Sequence, residues 1–153
     1  MEYSLDDKFI YFPLQYQPEK SSSPEGDFFV DQYLAISMLT KLSKGRYKVF
    51  IKEHISQFSS HLKGQQGRVF DFYRELSLLP NIVFVDPIEE SLKLIEKSIA
   101  VSTITGTAGF EALMKEKPSI IFGFPWYKDC DGVFNIKVQD DLIGALNLSL
   151  IHI

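Results

Sequence analysis

The chain has one cysteine, one tryptophan and three histidines among 153 residues, and no excess of basic side chains. A single thiol, Cys130, cannot close an internal disulfide, and no Cys/His grouping has zinc-ligand spacing. Neither a disulfide framework nor a structural zinc therefore holds the fold. Sixteen Lys and Arg against twenty Asp and Glu leave a formal net charge of −4. That balance argues against a general polyanion-binding surface and a nucleic-acid partner, so any phosphate recognition has to be local. No apolar run approaches the roughly 18 residues of a membrane span. Met1 is followed by acidic residues instead of a basic and then apolar leader, so no signal peptide is expected. These traits predict a reducing, cytoplasmic setting and no transmembrane segment.

Apolar side chains, by contrast, are plentiful: 45% of residues are hydrophobic and 13 Phe and 7 Tyr are present, enough for one domain with a proper core. Short β-rich runs alternate with helical patterns along the whole chain, the sign of βαβ units around a mostly parallel sheet. The predicted strands are Phe9 to Gln15, Tyr47 to Lys52, Ile82 to Asp86, Ile99 to Thr103 and Ser119 to Gly123, with nearly continuous apolar runs that suit strands covered on both faces. Helices are predicted over Asp31 to Leu42, Phe70 to Leu79, from Pro87 onward, and over Thr107 to Lys115. Val133 to Val138 reads as a short last strand and Asp140 to Leu148 as a closing helix. The whole, residues 1–153, is expected to form a single α/β domain: a three-layer Rossmann-like sandwich with a mainly parallel, doubly wound sheet in the order 3-2-1-4-5. Residues 1–7 are expected to be disordered.

The stretch from Val101 to Leu113 carries the clearest chemical signal, a buried strand running through Thr105-Gly106-Thr107 into a helix. Unpaired N–H groups and a positive helix end converge at such a turn, which suits a phosphorylated ligand. Thr105 or Thr107 could cap the helix, and Glu111 in its first turn is within reach of a ribose hydroxyl. A turn of this composition also serves as a purely structural connection. Lys52-Glu53-His54 ends the second strand, and alternation sends Lys52 and His54 to one face and Glu53 to the other. A lysine and a histidine together can hold a phosphate and stabilise charge developing on a leaving group; a histidine there equally serves as a structural hydrogen-bonding residue. Gln15, Gln17 and Glu19, beside a serine run, can read sugar or base hydroxyls or form a solvated turn. Arg68, Tyr73 and Arg74 read as solvent-facing or packing residues. Asp129 and Asp131 are too few carboxylates to mark a metal site, and Cys130 has no companion base.

Taken together, Tyr11 to Glu19, Lys52-Glu53-His54, Leu79-Pro80-Asn81-Ile82, Thr105-Gly106-Thr107 with Glu111-Ala112-Leu113, and Phe122-Gly123 with Trp126-Tyr127 resemble the capsule polysaccharide biosynthesis family of bacterial glycosyltransferases. The resemblance covers about residues 8 to 135. It implies the C-terminal, nucleotide-sugar-binding half of a GT-B enzyme, in which two Rossmann-like domains face each other. His54 corresponds to the histidine of a Lys-x-His-Pro motif at the donor phosphate, although Ile55 stands where that motif has proline. His54 would thus stabilise the leaving-group phosphate; no catalytic residue is otherwise assigned. The donor-binding set expected from the residues and the resemblance together is Gln15, Gln17, Glu19, Lys52, His54, Thr103, Thr105, Gly106, Thr107, Glu111 and Tyr127. The donor would be a CMP-, UDP- or GDP-linked sugar, with no metal and no further cofactor. Phe124, Trp126 and Tyr127 would meet a separate N-terminal half or a second copy, and the chain without that half is expected to be inactive, at the inner face of the membrane. Two alternatives remain: a non-catalytic nucleotide-binding or assembly module, and a truncated, inactive fragment.

Overall fold

The computed structural model describes residues 3–14, 28–43, 45–53 and 70–151. Among these residues six strands are formed: β1 (Phe9–Pro13), β2 (Lys48–Lys52), β3 (Ile82–Val85), β4 (Ala100–Thr103), β5 (Ser119–Ile121) and β6 (Val133–Asn135). The helices are α1 (Phe28–Ser43), α2 (Phe70–Ser77), α3 (Ser91–Lys97), α4 (Ala108–Met114) and α5 (Gln139–Ile151). The sheet order is β3-β2-β1-β4-β5-β6 and every pair is parallel. The expected order therefore holds, with β6 added at the edge beyond β5.

Strand alternation divides the core between two faces. Ile10, Phe12, Val49, Ile51, Ala100 and Ile120 pack under Ala35, Ile36 and Leu39 of α1, Phe72 and Leu76 of α2, and Leu142 and Leu146 of α5. Phe9, Tyr11, Phe50, Val83, Val85 and Val101 pack under Leu94 and Ile95 of α3 and Ala112 of α4. Because both faces are covered, the strands are apolar at nearly every position instead of at alternate ones. The chain steps outward from β1 to β3 beneath one helical layer, then returns through α3 to β4 on the other side of β1. The topological switch point thus lies between β1 and β4, where open α/β sheets bind ligands beyond the carboxyl ends of their strands.

Two local expectations are corrected. Pro87 does not open a helix: the Ile88 N–H donates to Asp86 Oδ1 (3.0 Å) and the Glu89 N–H to the Asp86 carbonyl (2.9 Å). Those bonds make Asp86–Glu89 a turn, in which proline is as favourable as at a helix start, and α3 begins only at Ser91. Nor are residues 3–7, within the stretch expected to be disordered, without fixed contacts. Tyr3 meets the Phe50 ring edge-on at 5.5 Å and its hydroxyl donates to Glu89 Oε2 (3.1 Å), while Leu5 packs on the same cluster. Apolar surface left open on the α3 side of the sheet is the physical reason these residues dock.

Phe50 is the centre of that face, stacked on Phe9 at 4.0 Å between ring centroids and fully buried. Truncating it leaves a cavity which the flanking strands cannot close. Phe50→Ala is expected to cost about 3–5 kcal/mol, read as a lowered denaturation midpoint at unchanged slope in urea.

Candidate functional site

The β4–α4 turn is held by bonds converging on Gly106. Its N–H donates to Thr103 Oγ1 (3.0 Å). Its carbonyl accepts from the Gly109 N–H (3.3 Å) and from the Tyr127 hydroxyl. The arrangement requires two glycines. A Cβ on Gly109 would lie 2.2 Å from the Tyr127 hydroxyl and 3.0 Å from Ser119 Oγ, and one on Gly123 would lie 2.6 Å from Thr105 Cγ2 and 2.9 Å from the Ile104 carbonyl. Side chains at either position would push α4 or the β5 loop off the turn.

These contacts sort the expected donor-binding residues. Thr103 and Tyr127 are buried, with their hydroxyls engaged inside the turn, so both shape it from within. Thr107 is exposed, and although it stands at the N-cap its side chain makes no capping bond. Thr107 is thus exposed without the capping bond suggested by the sequence. With α4 only seven residues long, hydroxyls and cations carry more of any phosphate recognition here than a helix dipole does.

Lys52 stands on the same face of the sheet, at the end of β2. It pairs with Pro13, and the β1–β4 register, continued two residues, sets Thr103 on Pro13's other side. Lys52 and Thr103 are thus two strand spacings apart, about 10 Å, with side chains on one face. The Lys52 ammonium donates to Ser91 Oγ (2.9 Å), and the Tyr11 hydroxyl approaches the same oxygen at 3.4 Å. Two donors occupy the acceptor side of Ser91, leaving its own O–H to donate. Glu111 acts electrostatically on Tyr11 and completes a polar row from β2 to α4. Burial lowers the pKa of Lys52, opposed by the charge of Glu89. Glu53 turns to the opposite face, as alternation requires, and accepts from the Tyr73 hydroxyl at 2.5 Å.

Ser91, Glu89 and Tyr11 were not candidates from the sequence. Only the topology brings the β3–α3 connection beside Lys52. His54, Gln15, Gln17 and Glu19 lie outside the described residues. Asp129 pairs with Lys128 (3.1 Å) and is 88% exposed; among the described residues no three His, Cys, Asp or Glu side chains gather as metal ligands. No helix among them is long and apolar enough to cross a membrane. A hollow of about 350 Å³ lined by Leu42, Arg46, Ile143, Leu146 and Asn147 sits by the α1–β2 connection, at the amino edge, away from this chemistry.

The sequence profile of the capsule polysaccharide biosynthesis proteins matches residues 5–135. The chain belongs to that family. Among solved structures it is similar to the β-Kdo 2,4 transferase of KpsC from Thermosulfurimonas dismutans, at 16% identity and a TM-score of 0.63 over 90% of this chain and 40% of that one. It is also similar to the β-Kdo 2,7 transferase of the same KpsC, at 19% and 0.56 over 91% and 42%. UDP-GlcNAc 2-epimerase from Methanocaldococcus jannaschii is similar too, at 13% and 0.65 over 95% and 39%. No curated protein sequence matches. The chain spans about two fifths of the length of these structures. At such identities the likeness establishes the fold, a Rossmann-like domain shared by glycosyltransferases of the GT-B type and the epimerase. The capsule family membership rests on the profile.

Burial pushes the pKa of both Tyr11 and Tyr127 up to about 12. An unfolded chain ionises its tyrosines near 10. Between those values it releases protons that the fold retains, so this stabilisation is full below pH ~10 and declines as pH rises toward ~12. Spectrophotometric titration should show a late tyrosinate phase that Tyr11→Phe with Tyr127→Phe removes. Tyr127→Phe alone is expected to cost about 1 kcal/mol, since the Gly109 N–H still reaches the Gly106 carbonyl.

Proposed function

We propose that this capsule-family domain binds the nucleotide-sugar donor of a glycosyltransferase at the carboxyl edge of its sheet. The observation that carries the reading is that Lys52 and the Thr103–Thr107 turn stand on one face, about 10 Å apart, on either side of the β1 end at the switch point between β1 and β4. A diphosphate seated there would take charge-assisted bonds from Lys52 and hydroxyl donors from Thr107 and Ser91. Glu111 would accept from the ribose hydroxyls, and His54 would add a donor from the segment after β2.

Transfer by displacement at the anomeric carbon breaks the bond to the phosphate oxygen and leaves negative charge on it. Groups held in advance around that oxygen stabilise the transition state more than the ground state. Lys52 is so held, because Ser91 fixes its ammonium at the end of a rigid strand. Neutralisation by these side chains needs no metal. The acceptor site and the base that deprotonates the acceptor are assigned to a facing domain, which closes over the donor and excludes water. Trp126, 72% exposed in the loop after β5, suits contact with that domain.

Calorimetric titration with CMP, UDP and GDP should show one of them binding to the 153 residues. Lys52→Met should weaken that binding about tenfold, the loss of one charge-assisted contact. Thr107→Val should weaken it with little loss of stability, since no capping bond is removed. No sugar transfer is expected without a facing domain. Transfer by the chain alone, or binding indifferent to Lys52, would contradict the reading.

A further inference from the structure

A groove of about 270 Å³ opens beyond the carboxyl ends of β5 and β6. One wall is Phe122-Gly123-Phe124 and the other Asn135-Ile136-Lys137. We infer that this groove holds the glycosyl ring of the donor, which rests on the nucleotide-binding reading of the neighbouring turn. The groove is continuous with the phosphate turn. Gly123 lies against Thr105 so closely that a Cβ there would meet its methyl at 2.6 Å, so the groove wall and the phosphate turn touch. β5 pairs directly with β4, and one strand spacing, about 5 Å, is the step from a phosphate to the sugar ring attached to it.

The lining matches a sugar in kind. Phe124 is 75% exposed and offers an aromatic face, whose negative potential attracts the C–H groups on one side of a pyranose. Asn135 Nδ2 donates to the Lys128 carbonyl at 3.0 Å, which fixes the carboxamide and leaves Oδ1 to accept from a sugar hydroxyl. Lys137 supplies a donor across the groove. Asp140 and Asp141 follow Lys137 closely, and Asp141 accepts the Lys137 and Val138 N–H groups at 2.9 and 3.1 Å. With that negative charge beside the one lysine, a hydroxyl-rich ring suits the groove better than a second phosphate does.

The test compares each nucleotide with its sugar conjugate on the 153-residue chain: UDP with UDP-GlcNAc, GDP with GDP-mannose, CMP with CMP-sialic acid. At least one conjugate is expected to bind roughly tenfold more tightly than its nucleotide, the return of an aromatic face and hydrogen bonds. Phe124→Ala and Lys137→Ala should each bring that ratio to within about twofold. The side-chain amide signals of Asn135 in NMR spectra should move with the conjugate and stay in place with the nucleotide. Nucleotides that bind while no conjugate binds more tightly would overturn the groove assignment alone, as would a ratio that survives both variants. Absence of binding by every nucleotide would overturn the donor reading and this inference with it.

Discussion

The close approach of α4 and the β5 loop to the turn after β4 is the contact on which the site depends. Gly106 cannot take two donors on its carbonyl unless Tyr127 comes in beneath α4, and Tyr127 cannot come in unless position 109 lacks a side chain. Gly123 makes the matching approach from the other side, against Thr105 and the Ile104 carbonyl. A carbonyl so held fixes the peptide planes around it. The exposed Thr107 is thereby presented from a backbone that packing has already immobilised, and a ligand meeting it has little ordering to bring about.

The parallel sheet does the rest by geometry. All six strands point their carboxyl ends the same way, so side chains far apart in the sequence, Lys52, Ser91 and Glu111 among them, reach one edge without any local sequence relation. The face on which they meet is otherwise apolar, built on the stacked Phe9 and Phe50. That low-polarity floor lowers the Lys52 pKa and strengthens its interaction with anything negative placed beside it.

The sheet was legible in the sequence because strands covered on both faces read as unbroken apolar runs, and alternation with helices leaves few permitted orders. The turn at Thr105-Gly106-Thr107 was legible for the same reason, since small and hydroxylated residues interrupt that pattern abruptly. Pro87 misled, because proline suits the second position of a turn as well as the first of a helix, and only the Asp86 bonds separate the two. Tyr127 read as a ligand contact because burial is not visible in Trp126-Tyr127-Lys128, where one aromatic is exposed and its neighbour is not. Ser91 carried no signal at all: its importance comes from the return of the chain past β2, a property of topology and not of any local pattern.

A crystal structure of this chain with its preferred nucleotide bound would show directly where the phosphates sit. Donor binding at the turn predicts phosphates at the carboxyl edge, within hydrogen-bonding distance of Lys52 Nζ and Thr107 Oγ1, with the Tyr127 hydroxyl still on the Gly106 carbonyl. Phosphates seated instead at the amino edge, against Arg46 in the hollow beside α1 and α5, would contradict it.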